Sequence, residues 1–197
     1  MSSHKRVLRL LSLVALSASV ASAMASGSDW PTWRHDANRS GASSLELPSE
    51  LHLQWKRELP APRPAFPEDV RLCFDISYEP VVMDKRMFLP SMVTDSVTAL
   101  HADTGEEEWT FFAEGPVRFA PVVWQGNVYA ASDDGCVYCL SAKDGKQVWK
   151  FRAAPEADRI FGNEQVASRW PLRSGLVVDN GTVYVIAGMW PMEGVYL

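Results

Sequence analysis

The sequence has 197 residues, 47% hydrophobic and 22% charged, with 13 prolines and 12 glycines, a composition that excludes a disordered or fibrous chain. The formal net charge is −5, and residues 1–25 hold Lys5, Arg6 and Arg9 without any acid, so the remainder is three charges more negative still. That balance argues against a nucleic-acid partner.

Residues 1–25 open on His4, Lys5, Arg6 and Arg9, continue through the apolar run Leu10 to Val20, and end on Ala21-Ser22-Ala23-Met24-Ala25. Basic, apolar and small residues in that order make a secretory signal peptide. The run is too short and too serine-rich for a membrane anchor, which wants about 20 apolar residues. No cysteine stands at the cleavage region to carry a lipid. The mature chain is therefore expected to be soluble, periplasmic or secreted, and without a transmembrane segment. Residues 26–52 read as a lead-in.

From residue 53 the chain repeats itself. Pro121-Val122-Val123 to Trp149-Lys150-Phe151 follows Pro80-Val81-Val82 to Trp109-Thr110-Phe111, 41 residues apart at first and 40 later. In the second copy the pieces are Phe119 to Trp124, Val128 to Ser132, Cys136 to Ala142 and Gln147 to Arg152. Gly126-Asn127, Asp134-Gly135 and Asp144-Gly145 separate them, residues that tolerate the positive φ of tight hairpin turns. A third copy begins at Leu176-Val177-Val178, turns at Asp179-Asn180-Gly181, and ends inside a strand at Val195-Tyr196-Leu197. Before the first copy, Leu53-Gln54-Trp55-Lys56-Arg57 matches the fourth strand alone. Four-stranded units of about 40 residues predict an all-β propeller of antiparallel blades over 53–197. Closed rings need roughly four to eight blades. The expectation is thus an incomplete ring, with Leu53 to Arg57 as a ring-closing strand and the remaining blades in a C-terminal remainder of the same propeller.

Cys136 and Cys139 form a C-x-x-C spacing inside the alternating run Cys136-Val137-Tyr138-Cys139-Leu140. Strand geometry sends them to opposite faces about 10 Å apart along the chain, out of reach of a disulfide. Leu140 stands where haem attachment wants histidine, and no further zinc ligands are spaced nearby. Both read as small packing residues. Cys73 makes the count odd.

These repeats resemble the pyrroloquinoline-quinone (PQQ) repeat family of propellers, whose tryptophan-docking motif runs A-x-D-x-x-T-G-x-x-x-W. Ala99 to Trp109 keeps Ala99, Thr104, Gly105 and Trp109, with His101 in place of aspartate. The second copy keeps only Gly145 and Trp149. The resemblance implies that Gly105 and Gly145 make turns and that Trp55, Trp109 and Trp149 pack between neighbouring blades. The start, Asp29-Trp30-Pro31-Thr32-Trp33-Arg34-His35-Asp36 and then Asn38-Arg39-Ser40-Gly41, looks like the lead-in of exported propellers of this kind. The fold implied is similar to the propeller of the outer-membrane protein assembly factor, a scaffold, and to that of quinoprotein alcohol dehydrogenases, which are enzymes.

Aligning the copies places Ser77, Arg118 and Arg173 at one position of the channel-lining first strands, where two arginines could face an anion. An insertion, Ala153 to Leu172, adds Arg159, Phe161, Asn163, Glu164, Arg169 and Trp170. It reads either as a solvated loop whose Trp170 covers a blade edge or as a binding loop. Arg118, Arg173, Arg169 and Trp170 are the candidate anion site. Glu106-Glu107-Glu108 reads as a solvated hairpin face, Asp133-Asp134 as turn chemistry, and His35, His52 and His101 as structural or exposed. No catalytic residue or metal ligand is assigned. Quinoprotein dehydrogenases pair adjacent cysteines beside the cofactor, and no Cys-Cys pair stands here. The expected function is a non-catalytic binding or assembly scaffold for a protein or small ligand. The alternative is part of a PQQ- and calcium-dependent oxidoreductase.

Overall fold

A computed structural model describes residues 29–62, 77–162 and 164–197. Residues 1–25, expected to be a signal peptide, and Cys73 and Asn163 lie outside the described residues. The first copy forms a sheet in the order β1 (Val81–Met83), β2 (Arg86–Ser91), β3 (Ser96–His101), β4 (Glu107–Phe112). The second repeats it as β5 (Val122–Trp124), β6 (Asn127–Ala131), β7 (Cys136–Ser141), β8 (Gln147–Arg152). Both are antiparallel throughout, as blades of a propeller are.

The insertion is not an irregular loop. It folds into a hairpin, β9 (Arg159–Gly162) paired with β10 (Gln165–Ser168). Ile160 and Phe161 are consecutive and Val166 is isolated, so no alternation marked these strands in the sequence. The third copy pairs β11 (Val177–Asp179) with β12 (Thr182–Tyr184). Beyond a 3-10 turn at Pro191–Glu193, Tyr196 returns to bridge Ala187.

First and second strands of each copy are joined by two residues with positive φ: Asp84-Lys85, Gln125-Gly126 and Asn180-Gly181. Such turns match the twist of the flanking strands. The second of them sits one residue earlier than Gly126-Asn127, because Asn127 already pairs with Trp124 as the start of β6.

Side-chain alternation splits the core into two layers. Phe88, Val97 and Ala99 of the first blade meet Val128, Ala130, Cys136, Tyr138 and Leu140 of the second. Val137 and Cys139 point the other way, onto Leu176 and Val178 of the third copy and onto Trp170. Cys136 and Cys139 are thus buried, free and on opposite faces. Burial pushes both thiols up.

Tryptophans lock successive copies. Trp55 donates from Nε1 to the Ala102 carbonyl (2.8 Å) and lies on Gly105; Trp109 donates to the Ala142 carbonyl (3.2 Å) and lies on Gly145. Trp149 packs on Tyr129 of its own blade and stays 37% exposed. Leu53 to Arg57 forms no ladder among the described residues; it is anchored through Trp55 and an Arg57–Glu107 ion pair of 2.7 Å.

The lead-in is fastened to the inner strands. Trp30 exchanges both backbone hydrogen bonds with Val82 (2.7 and 2.9 Å), and the Pro31 carbonyl accepts from Val123 N–H (2.8 Å). Asp29 Oδ1 accepts from Asp84 N–H in the first turn (3.1 Å). The free edges of β1 and β5 are thereby covered by the chain's own beginning.

Candidate functional site

The stretches leading into β5 and β11, the β6–β7 loop and the β9–β10 hairpin meet on one face of the blades. Asp133, in the β6–β7 loop, is fully buried there. Arg118 Nε donates to its Oδ2 at 2.7 Å, and Arg173 reaches the same oxygen from NH2 at 2.9 Å and from Nε at 3.2 Å. Arg118 also donates to Gln165 Oε1 (3.0 Å), while Gln165 Nε2 donates to the Met92 carbonyl (2.8 Å). One connected network therefore spans the first two blades, the hairpin and the stretch before β11.

The arginines predicted to face an anion are brought together, and the anion is the protein's own carboxylate. Ser77, aligned with them, is exposed. Arg169 and Trp170 lie elsewhere: Arg169 pairs with Glu193 (2.7 Å) and sits over the Trp170 ring, 5.7 Å from its centroid. Trp170 is buried in the second core layer and donates from Nε1 to the Glu193 carbonyl at 2.5 Å, so its indole serves packing. The candidate site divides into two separate pairs. Asp133 was read as turn chemistry, which describes its neighbour instead: Asp134 Oδ1 accepts from Cys136 N–H at 2.9 Å. Both carboxylates are buried, and nothing in a Ser-Asp-Asp-Gly turn tells that the first meets the arginines and the second Tyr138 and Lys150.

A second network flanks the first. Lys150 and Arg159 both reach the Glu114 carboxylate (2.5 and 2.6 Å), and the Lys150 hydrogen bond foremost holds that carboxyl below its ordinary range. Tyr138 donates to Asp134, and burial keeps its phenol protonated well above the usual range. Asp95, in the β2–β3 loop, has an oxygen shielded from solvent that takes no hydrogen bond among the described residues. Desolvation raises its carboxyl pKa; Arg118 opposes this, and Asp133 and Asp134 add to it. A native pKa above the unfolded one means that the favourable contribution is complete below the unfolded pKa and is lost as pH rises through the native value. Asp95→Asn should therefore raise the melting temperature at pH 7 and leave it unchanged at pH 3, measured by calorimetry; equal effects at both pH values would contradict the assignment.

Next to the arginine pair lies a pocket of about 180 Å³. Glu79, Phe119 and Ser174 to Leu176 line it from the stretches that enter β1, β5 and β11, and Trp33 and Arg39 of the lead-in close it. Sequence alignment had placed Ser77, Arg118 and Arg173 two residues short of this position, and the lead-in gave no signal that it would fold back to the same place.

The family model described as outer membrane protein assembly factor BamB, a PQQ-type repeat family, matches residues 18–188. The chain belongs to this family. A 1-butanol dehydrogenase (cytochrome c) from Thauera butanivorans is 26% identical over 90% of this chain and 26% of its own length. A tetrathionate hydrolase from Acidithiobacillus ferrooxidans is 41% identical over 34% of this chain and 11% of its own length. The chain thus spans about a quarter or less of these curated relatives. Among solved structures, a europium-containing methanol dehydrogenase matches 83% of this chain and 28% of its own with a TM-score of 0.57 at 15% identity. The quinohemoprotein alcohol dehydrogenase from Comamonas testosteroni matches 81% of this chain and 23% of its own with a TM-score of 0.55 at 24% identity. Both likenesses show the propeller fold.

Proposed function

We propose that this chain is part of an exported propeller, periplasmic or secreted after removal of residues 1–25, that acts as a non-catalytic binding or assembly scaffold for a protein or small ligand. The observation that carries the reading is the commitment of Arg118 and Arg173 to Asp133. A tricarboxylated quinone such as PQQ asks for cations that are free to meet it. These two guanidiniums spend donors on one buried carboxylate, so an incoming anion would have to compete with it for the same N–H groups. This pair of arginines is therefore already engaged and not free to hold PQQ.

The repeat geometry supports a C-terminal remainder of the same propeller as the first partner. Trp109 and Phe111 are packed against the second blade, whereas their counterparts Trp149 and Phe151 are 37% and 61% exposed on the side facing the third copy. Further strands of that copy would cover them.

A second reading, part of a PQQ- and calcium-dependent oxidoreductase, is favoured by the 26% identity to the 1-butanol dehydrogenase over nearly the whole chain. Titration of the full-length protein with PQQ and Ca²⁺ separates the two. The scaffold reading expects no stoichiometric uptake and no dye reduction with alcohols; uptake of one quinone per chain, reversed by a calcium chelator, would establish the oxidoreductase instead.

A further inference from the structure

We propose that the pocket between the lead-in and the three inner-strand entries binds a free α-amino acid with an apolar side chain. This rests on reading the propeller as a binding module and names the ligand chemistry of one site on it. Three successive copies contribute one wall each, and the lead-in supplies the fourth. That fourth wall is held by the Trp30–Val82 pairing and the hydrogen bond from Val123 to Pro31. The pocket is therefore preformed by segments remote in sequence, as ligand sites usually are.

Charge selects the ligand. Other arginines of this face have carboxylate partners: Arg118 and Arg173 share Asp133, Arg159 meets Glu114 and Arg169 meets Glu193. Arg39 has no carboxylate partner among the described residues; its guanidinium lies over Trp33, 5.1 Å from the ring centroid. Glu79 spends only Oε2, on the Ala120 N–H at 3.0 Å, and makes no ion pair with Arg39. The pocket thus offers an uncompensated cation and an uncompensated carboxylate oxygen beside apolar walls from Trp33, Phe119 and Leu176.

A zwitterion answers both charges at once: its carboxylate pairs with Arg39, its ammonium donates to Glu79 Oε1, and its side chain lies against the apolar walls. A ligand with one charge would leave the other protein group unpaired on desolvation. The size agrees, because about 180 Å³ falls below the roughly 300–1,000 Å³ of sites for drug-sized molecules.

The test is calorimetric titration of the full-length protein with L-leucine, 3-methylbutylamine and 4-methylpentanoate, the last two lacking the carboxylate and the ammonium respectively. Leucine should bind with a dissociation constant of about 1 mM or tighter, and each analogue about tenfold or more weakly. Arg39→Gln should erase the advantage of leucine over the amine. Glu79→Gln, which keeps an oxygen for Ala120 N–H, should erase its advantage over the carboxylate, with thermal melts confirming that both variants fold. No saturable heat with leucine up to about 10 mM, or wild-type selectivity in both variants, overturns the proposal. PQQ uptake by the same preparation would overturn the scaffold reading separately, whatever the leucine titration shows.

Discussion

Asp133→Ala is expected to cost the propeller about 3–5 kcal/mol, read as a lowered urea midpoint of the full-length protein. The side chains of Arg118 and Asp133 are 5% and 1% exposed, so removal of the carboxylate takes a hydrogen-bonded counter-charge away from a buried guanidinium. Arg173, at 26%, can turn outward and suffers less. The loss should be largely recovered when Asp133→Ala is combined with Arg118→Met, since an apolar replacement of a whole buried pair is often neutral. Gln165→Ala, which removes only the link to the hairpin and the Met92 carbonyl, should cost about 1 kcal/mol. An Asp133→Ala midpoint within about 1 kcal/mol of wild type would mean that the arginines find solvent or another anion, and the argument that they are committed would fail with it.

The same residues show what a sequence can disclose about such a site. Repeats and turn residues made the blades legible, because strand alternation and positive-φ positions are local properties that survive translation along the chain. Alignment of the copies brought Arg118 and Arg173 to one position, and the structure does bring them together. What faces them was not legible: Asp133 and Asp134 are adjacent, both acidic, both in a turn and both buried, and only the packing of the neighbouring strands decides that the first meets the arginines and the second Tyr138 and Lys150. The hairpin β9–β10 was lost for a related reason, since four-residue strands with few β-branched side chains barely rise above loop composition. Trp33 and Arg39 were legible only as part of a family-like lead-in, and nothing placed them beside Glu79. The lead-in reaches the inner strands through the backbone bonds of Trp30 and Pro31, which no local pattern announces.

Gly145→Ala should cost about 2–4 kcal/mol, and Gly126→Ala only about 1 kcal/mol, although both glycines have φ near +70°. The difference isolates the docking of the preceding blade. At Gly126 a methyl group meets nothing within 4 Å, so the substitution adds only the strain of a left-handed backbone. At Gly145 the same methyl would lie 2.6 Å from Trp109 Cε3 and 2.7 Å from Cδ2, on an indole tied by Nε1 to the Ala142 carbonyl. The ring must shift off the turn, which weakens the contact of Trp109 with the second blade and its packing on Phe88 of its own blade. Trp109→Phe tests the same seat from the other side: it relieves the overlap but loses the hydrogen bond, so it should soften the penalty of Gly145→Ala in the double variant. Thermal or urea melts of the four proteins give the coupling directly. Strict additivity of the two substitutions would show that the indole is not what makes glycine necessary at this turn.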